Sequence, residues 1–196
     1  MGQLVVLVGL PGSGKTAFVR DCPGWVIVSR TAIRHAMFRC SYDPDCEPTV
    51  DRVFSAALVE ALDSPADVVC VDEPNLTRAE RLTLIDLARV FQREPIAHVM
   101  PSASPDALFD RLQRNLRRLA LEQSHLKVRP FSRRSFDLLV ERLEPVGSEE
   151  GFSRVVLTTS TQRDPREVSP RQGRDRGTRD ALPLFAPLAT SDPRSG

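Results

Sequence analysis

The amino-acid sequence predicts an α/β fold, in which a parallel five-stranded sheet carries helices on both faces. Short, apolar, β-branched segments alternate along the chain with segments whose apolar residues recur at helical spacing. The strand-like segments are apolar at nearly every residue, which is typical of parallel strands that are buried on both sides. We expect strands over residues 3–8, 25–29, 67–72, 96–100 and 154–157.

Helical spacing of apolar residues is clearest in four segments that follow these strands. The segments are residues 50–62, 84–91, 108–119 and 136–143. Two of them are preceded by helix start signals. Thr77-x-x-Glu80 has the pattern of a capping box, and Ser104 precedes a first-turn proline, Pro105.

Length and composition exclude several classes of protein. The chain has 196 residues, of which 41% are hydrophobic and 27% are charged, as expected of a globular domain. It contains no apolar run long enough to span a membrane and does not begin with the pattern of a secretory signal. The four cysteines include no C-x-x-C pair and are expected to be free thiols. We therefore expect a cytoplasmic protein that does not contact a membrane.

The helical and strand patterns stop near residue 160. Residues 160–196 contain seven arginines and five prolines but few residues that could form a core. We therefore predict a folded domain over residues 1–159 and a disordered Pro/Arg-rich tail over residues 160–196.

A glycine-rich motif follows the first predicted strand directly. The segment Gly9-Leu10-Pro11-Gly12-Ser13-Gly14-Lys15-Thr16 fits the phosphate-binding pattern G-x-x-x-x-G-K-[ST]. Glycines let the backbone N–H groups turn toward phosphate oxygens, and Gly9, Gly12, Ser13 and Gly14 are the candidates. Lys15 supplies a compact positive charge for the β- and γ-phosphates, and the Thr16 hydroxyl can ligate Mg²⁺. The sequence thus predicts a site for ATP and Mg²⁺.

Two acids follow the third predicted strand. Asp72 and Glu73 come directly after Val68-Val69-Cys70-Val71. The carboxyl ends of parallel strands form the edge at which ligands bind in such sheets. We expect Asp72 to take part in holding Mg²⁺, and one or both acids to face the acceptor hydroxyl.

Four motifs together resemble the polynucleotide kinase family of P-loop phosphotransferases, over roughly residues 3–157. They are the glycine-rich loop, Val28-Ser29-Arg30-x-x-x-Arg34, Asp72-Glu73-Pro74-Asn75-Leu76-Thr77 and Arg114-Asn115-x-x-Arg118. The resemblance implies a P-loop kinase fold with a lid and ATP-dependent phosphorylation of a hydroxyl, often on nucleic acid. It also implies that Arg34 contacts the acceptor and that Arg114 and Arg118 are lid arginines on the transferring phosphate.

The predicted lid is strongly basic. Between Arg111 and Arg134 lie eight basic residues and one acid. On a helix, Arg111, Arg114 and Arg118 share the side opposite the leucines, and their mutual repulsion would be relieved by phosphate groups. Further candidates for holding a nucleic-acid backbone are Lys127, Arg129, Arg133 and Arg134.

One position departs from the family pattern. The family has an aspartate as general base where this chain has Thr31, and, counted from Asn75, Glu73 rather than Asp72 occupies the strand-end position. Glu73 can take over the duty of the base, or the hydroxyl can approach from another angle, as on a hydroxymethylated base that is extruded from a duplex. Asp43, Asp45 and Glu47 lie in a loop near where the acceptor would enter, and one of them is a further candidate for the missing base.

The tail contains one apolar island, Ala181-Leu182-Pro183-Leu184-Phe185. It is similar to the peptide by which bacterial DNA-processing enzymes dock on the sliding clamp, although the leading Gln is missing. Clamp docking through Leu182 to Phe185 would favour DNA over RNA as the acceptor.

The sequence is compatible with three functions. The leading prediction is a kinase that transfers the γ-phosphate of ATP to a hydroxyl on nucleic acid, either a 5′-end or a hydroxymethyl group such as that of 5-hydroxymethyluracil. The alternatives are a small-molecule or nucleoside kinase of the same fold, and an ATP-binding switch module without transfer activity.

Overall fold

The computed structural model describes residues 2–101 and 103–158, and its centre is a five-stranded sheet. The strands are β1 (Gln3–Val8), β2 (Val26–Val28), β3 (Val68–Val71), β4 (Glu94–Val99) and β5 (Arg154–Leu157). All neighbouring pairs are parallel, and the order across the sheet is β2-β3-β1-β4-β5. The predicted sheet is therefore confirmed, and β1, which leads into the glycine-rich loop, lies at its centre.

Six α-helices accompany the sheet in this part of the chain. They are α1 (Lys15–Arg20), α2 (Arg30–Phe38), α3 (Glu47–Asp63), α4 (Arg78–Val90), α5 (Pro105–Glu122) and α6 (Arg133–Glu141). Both predicted start signals are present. Thr77 and Glu80 form a reciprocal capping box at the start of α4, and the Ser104 hydroxyl accepts a hydrogen bond from the amide of Ala107 at the start of α5.

Alternate side chains of β1 face opposite layers of helices, as the period of a strand requires. Leu4, Val6 and Val8 pack in a core with α2, α3 and α4. Val5 and Leu7 pack on the other face with residues from α1. The predicted covering of both faces is thus confirmed.

A third apolar cluster lies beyond the strand ends and joins the glycine-rich loop to the lid. It contains Leu10 from the loop, Leu76 from the segment after β3, Leu108 from α5 and Phe136 from α6. All four side chains are buried. The base of the predicted lid therefore packs directly on the loop that it would close.

Strand β4 begins at Glu94, two residues before the predicted start, and contains Pro95. Proline cannot donate a ladder hydrogen bond and is therefore a poor sequence signal for a strand. In the structure, the pairing of β5 with β4 begins at Ile96, so Pro95 lies opposite β1 only.

Within the part of the chain that the structure describes, no helix combines the length and the apolar character of a membrane span. Cys22, Cys40, Cys46 and Cys70 are free thiols. The predicted tail and its apolar island lie outside the described residues.

Candidate nucleotide site and acceptor side

The glycine-rich loop between β1 and α1 has the backbone conformation that its glycines permit. Gly12 and Gly14 have φ angles of 84° and 104°, which residues with a Cβ atom rarely adopt. A Cβ atom on Gly12 would also lie 2.4 Å from the carbonyl oxygen of Leu108 in α5. The second glycine of the motif therefore gives the lid helix room to approach the loop.

Lys15 places its ammonium group inside this loop. The side chain is buried, and Nζ donates hydrogen bonds to the carbonyl oxygens of Gly9 at 2.6 Å and Leu10 at 3.0 Å. Burial lowers the pKa of Lys15 to about 8, an effect that the negative charges of Asp72 and Glu73 oppose. The Lys15 ammonium group is thus enclosed by the backbone of the glycine-rich loop.

Asp72 and Thr16 form a hydroxyl–carboxylate pair between the end of β3 and α1. The Thr16 hydroxyl donates a hydrogen bond of 3.0 Å to Oδ2 of Asp72. Burial raises the pKa of Asp72, and the hydrogen bond from Thr16 and the charge of Lys15 act in the opposite direction. The two residues that the sequence predicts for Mg²⁺ thus lie within hydrogen-bond distance of each other.

The pair fits the requirements of Mg²⁺. This ion is usually held by one or two protein oxygen ligands together with substrate phosphates and water. Among the described residues, no group of three or more His, Cys, Asp or Glu side chains forms a metal cage. Thr16 and Asp72 offer two oxygen atoms, which suits an ion that takes its remaining ligands from water and a polyphosphate.

Glu73 points toward α2 rather than toward the glycine-rich loop. Its Oε1 accepts a hydrogen bond of 2.6 Å from the backbone N–H of Arg30, the first residue of α2, and its Oε2 lies 3.8 Å from the Arg30 guanidinium. Burial raises the pKa of Glu73, partly offset by the Arg30 amide. The carboxylate thus stands at the start of α2, beside the exposed Thr31.

Arg34, one turn further along α2, is held by Glu47, one of the acids that the sequence predicts near the acceptor. The Arg34 Nε and Nη2 donate hydrogen bonds of 2.8 and 2.6 Å to the two oxygens of Glu47. Burial lowers the pKa of Arg34, but the bonds from Glu47 and the charges of Glu47 and Glu73 outweigh it, so the pKa is raised. Glu47 therefore orients Arg34, and both of its oxygens are engaged.

Asn75 fixes the two strand-end acids relative to the loop. Its buried amide donates a hydrogen bond of 2.7 Å to the carbonyl oxygen of Leu7 in β1. The backbone at Asn75 has a φ of 46°, a left-handed conformation that Asn tolerates better than most residues. Gly9 completes the connection, because its N–H donates to the carbonyl oxygen of Pro74 at 3.0 Å.

The lid contacts the loop through Arg111. Arg111 Nη1 donates a hydrogen bond of 3.2 Å to the carbonyl oxygen of Gly12. Arg114 and Arg118 are exposed on the same helix, and Arg118 lies 3.7 Å from Glu122. Arg111 reaches the loop because it lies less than one turn after Leu108, the residue at which α5 touches the loop.

Arg133, one of the candidates for holding a nucleic-acid backbone, is paired with acids of the lid. Arg133 donates hydrogen bonds to Asp106, at the start of α5, and to Asp137, one turn along α6. Its charge is thus balanced within the lid, which makes Arg133 a connector of α5 and α6.

These features together define a P-loop nucleotide-binding domain of the kinase type: a glycine-rich loop after the central strand, a buried lysine and a hydroxyl–carboxylate pair at the carboxyl edge of a parallel sheet. Residues 4–139 match the model of a family described as AAA domain (AAA_33), and the chain belongs to that family. No curated protein matches the chain.

Three solved structures show the same fold. A suggested kinase of Chloroflexus aurantiacus is 18% identical, with a TM-score of 0.61 over 85% of this chain and 94% of that one. Chaetomium thermophilum Kti12, in complex with ADP-AlF3, is 21% identical, with a TM-score of 0.55 over 84% and 94%. Mycobacterium tuberculosis APS kinase CysC, in complex with AMPPNP and APS, is 14% identical, with a TM-score of 0.50 over 85% and 95%. The P-loop kinase fold implied by the sequence motifs is therefore confirmed.

Proposed function

We propose that this protein is a cytoplasmic, ATP- and Mg²⁺-dependent kinase that transfers the γ-phosphate to a hydroxyl on nucleic acid, with DNA preferred to RNA. The acceptor is a 5′-hydroxyl end or the hydroxymethyl group of a modified base such as 5-hydroxymethyluracil. The observation that carries the proposal is the convergence of Lys15, Thr16 and Asp72 beneath a basic lid that touches the same loop.

The nucleotide side is assigned to the glycine-rich loop. Backbone N–H groups of Gly12 and Gly14 would bind phosphate oxygens, whereas the N–H groups of Gly9 and Ser13, also predicted for this role, donate to the carbonyl oxygens of Pro74 and Leu10. Lys15 would exchange its carbonyl partners for the β- and γ-phosphates. Thr16 and Asp72 would hold Mg²⁺, which neutralises phosphate charge when bound. The nucleotide analogues in the Kti12 and CysC structures support a nucleotide at this loop.

The acceptor side is assigned to Glu73 and Arg34. Glu73 would accept the proton of the attacking hydroxyl, as a new O–P bond forms and the bond between the γ-phosphorus and the β–γ bridging oxygen breaks. Its position at the start of α2 supports this role, because Thr31, where the family has its aspartate, belongs to the same turn. Arg34 would bind a phosphate or the acceptor oxygen itself.

The lid supplies positive charge for the transferring group and for the acceptor backbone. Arg114 and Arg118 are exposed, so their guanidinium groups are accessible to phosphate oxygens when the lid closes. The excess of basic residues between positions 111 and 134 supports a polyanionic acceptor over a small neutral one.

An acceptor panel tests the proposal. Full-length protein is incubated with γ-labelled ATP and Mg²⁺ and with 5′-OH DNA, 5′-OH RNA, DNA containing hydroxymethyluracil or hydroxymethylcytosine, or free nucleosides. We expect label in at least one DNA acceptor, and none with Lys15→Ala. Label in free nucleosides alone would contradict the nucleic-acid assignment, and ATP binding without any labelled acceptor would favour a switch module.

A further inference from the structure

The exposed ring of Tyr42 lies on the acceptor side of the proposed site. Tyr42 follows α2 and is the only tyrosine of the chain. Tyr42 has 46% of its surface exposed. An exposed aromatic ring beside a nucleic-acid site is the usual platform on which a base stacks.

Two arginines flank this ring from different parts of the chain. The guanidinium carbon of Arg34 lies 5.8 Å from the centroid of the Tyr42 ring, and that of Arg129 lies 5.6 Å from it. Both distances fall near the outer limit of a cation–π contact, so neither guanidinium is pressed against the ring. The three side chains form an aromatic surface edged by two positive charges.

Backbone pairing joins the segment after α2, which carries Tyr42, to the segment after α5, which carries Arg129. Cys40 and Lys127 form a parallel bridge. Two hydrogen bonds form it, from Ser41 N–H to Lys127 O at 3.0 Å and from Lys127 N–H to Arg39 O at 2.8 Å. A third extends it, from Arg129 N–H to the Ser41 hydroxyl at 2.8 Å. These three hydrogen bonds hold the segments that carry Tyr42 and Arg129 next to each other, which suits a preformed binding surface.

Arg34 connects this surface to the proposed reaction centre. Its guanidinium is oriented by Glu47, and the charge of Glu73 acts on it as well. A group bound between Tyr42 and Arg34 would therefore lie on the side of the site where Glu73 meets α2.

We infer that Tyr42, with Arg34 and Arg129, forms a stacking subsite for a nucleobase of the acceptor, with the adjacent phosphate bound by one of the two arginines. This inference rests on the proposed function and specifies its substrate class: a nucleic acid whose base next to the reacting hydroxyl contributes to binding. A small acceptor without an aromatic ring would gain nothing from this surface.

A cycle of two changes tests the subsite, one in the protein and one in the substrate. The probes are a 5′-OH DNA octamer and a matched octamer with an abasic first residue, each assayed with wild type and Tyr42→Ala. We expect either single change to raise KM for the octamer roughly 10–100-fold, the range for one lost base stack, with a smaller effect on kcat. The two changes together should cost little more than one of them.

Two further variants separate stacking from other effects of the substitution. Tyr42→Phe, which keeps the ring, should restore most of the affinity for the intact octamer. Leu138→Ala, which truncates an exposed side chain on α6 away from Tyr42 in sequence, should leave KM unchanged. Ultraviolet crosslinking of an octamer with 5-iodouracil in the first position should attach it to Tyr42 without any need for turnover.

The outcomes distinguish the subsite from the proposed function. Additive effects of the two changes, or an unchanged KM in Tyr42→Ala with labelled octamers, would overturn the subsite and leave the kinase intact. If wild type binds Mg·ATP but labels no nucleic acid, both inferences fail.

Discussion

Two adjacent acids at the end of β3 face different partners. Asp72 meets the Thr16 hydroxyl, whereas Glu73 meets the first amide of α2. Burial raises the pKa of both carboxyl groups. The hydrogen bond from Thr16 opposes this rise at Asp72, and the hydrogen bond from the Arg30 amide opposes it at Glu73. This arrangement allows one acid to serve the metal and the other the acceptor.

Replacing the Thr16 hydroxyl tests the metal side. Thr16→Val keeps the shape of the side chain but removes the oxygen that would ligate Mg²⁺. We expect the Mg²⁺ concentration for half-maximal ATP binding to rise by at least roughly 10–100-fold, the range for changes in the outer shell of a metal site. Thr83→Val, the same change on α4, is the control. Equal Mg²⁺ dependence in both variants would contradict the assignment.

The acceptor side is tested by comparing Glu73→Gln with Thr31→Ala. A glutamine oxygen can still accept from the Arg30 amide, so α2 should keep its start, but the amide cannot take up a proton. We expect transfer to slow by roughly 10²–10⁴-fold in Glu73→Gln, with ATP affinity retained, and to change little in Thr31→Ala. Single-turnover transfer rates give the ranking, and the reverse order would defeat the role of Glu73.

At the scale of elements, the motif predicted the loop but could not predict which lid arginine reaches it. The spacing of G-x-x-x-x-G-K-[ST] carries its own geometry, so the positions of Lys15 and Thr16 followed from the sequence. The contact of Arg111 depends on how far α5 extends past the loop, which is set by the packing of Leu108 against Leu10 and Phe136. Such a tertiary distance leaves no trace in the sequence pattern.

The close approach of α5 to the loop can be tested with two glycine variants. Alanine at either position 12 or position 14 has an unfavourable positive φ, but only at position 12 does the new Cβ meet the carbonyl oxygen of Leu108. Gly14→Ala has no atom within 4 Å of the new carbon. We expect hydrogen exchange in the first turns of α5 to accelerate in nucleotide-free Gly12→Ala and not in Gly14→Ala. Equal exchange in both would contradict the contact.

A buried histidine makes the packing of β4 against α1 sensitive to pH. His98 stacks on Phe18 at 4.2 Å between ring centroids and is hydrogen-bonded to Thr158. Burial, with a smaller contribution from Arg154 on β5, lowers the pKa of His98 to about 4. The unfolded chain, with an ordinary histidine pKa, binds the proton more readily, so stability falls as the pH drops from about 6.5 toward 4.

The expected loss from His98 is about 2 kcal/mol in the free energy of unfolding between pH 7 and pH 5. His98→Gln lacks the titrating group and should lose less stability over the same range. Urea denaturation of both proteins at the two pH values measures the difference. An identical pH dependence would show that His98 is not held in its neutral form.

At the scale of the whole molecule, the sequence predicted the sheet and its helices because their apolar patterns are local. It did not predict the attachment of the segment before β5, which depends on a buried ion pair 69 residues apart in sequence. The Arg81 guanidinium is fully buried, is bonded to both oxygens of Glu150 at 2.7 Å, and also donates to the carbonyl oxygens of Leu76 and Pro145. Arg81 is a charged residue on a helix, and nothing in the sequence pattern distinguishes it from an exposed one.

Neutralising one partner of this pair should destabilise the whole domain. Glu150→Gln leaves the buried charge of Arg81 without its counterion, which costs about 3–5 kcal/mol in comparable cases. Glu149→Gln removes an acid from the exposed pair with Arg78 and should change stability by less than about 1 kcal/mol. Denaturant unfolding compares the two, and a similar effect of both would contradict the role of the buried pair.

The central claim is that the loop around Lys15 binds a nucleoside triphosphate with Mg²⁺, since every other assignment depends on it. Isothermal titration of the full-length protein with AMPPNP tests it most directly. We predict one binding site per chain that requires Mg²⁺ and is lost in Lys15→Ala but kept in Lys127→Ala, a change of the only other lysine. Absence of binding heat and of thermal stabilisation in the wild type, or equal binding by both variants, would contradict the account.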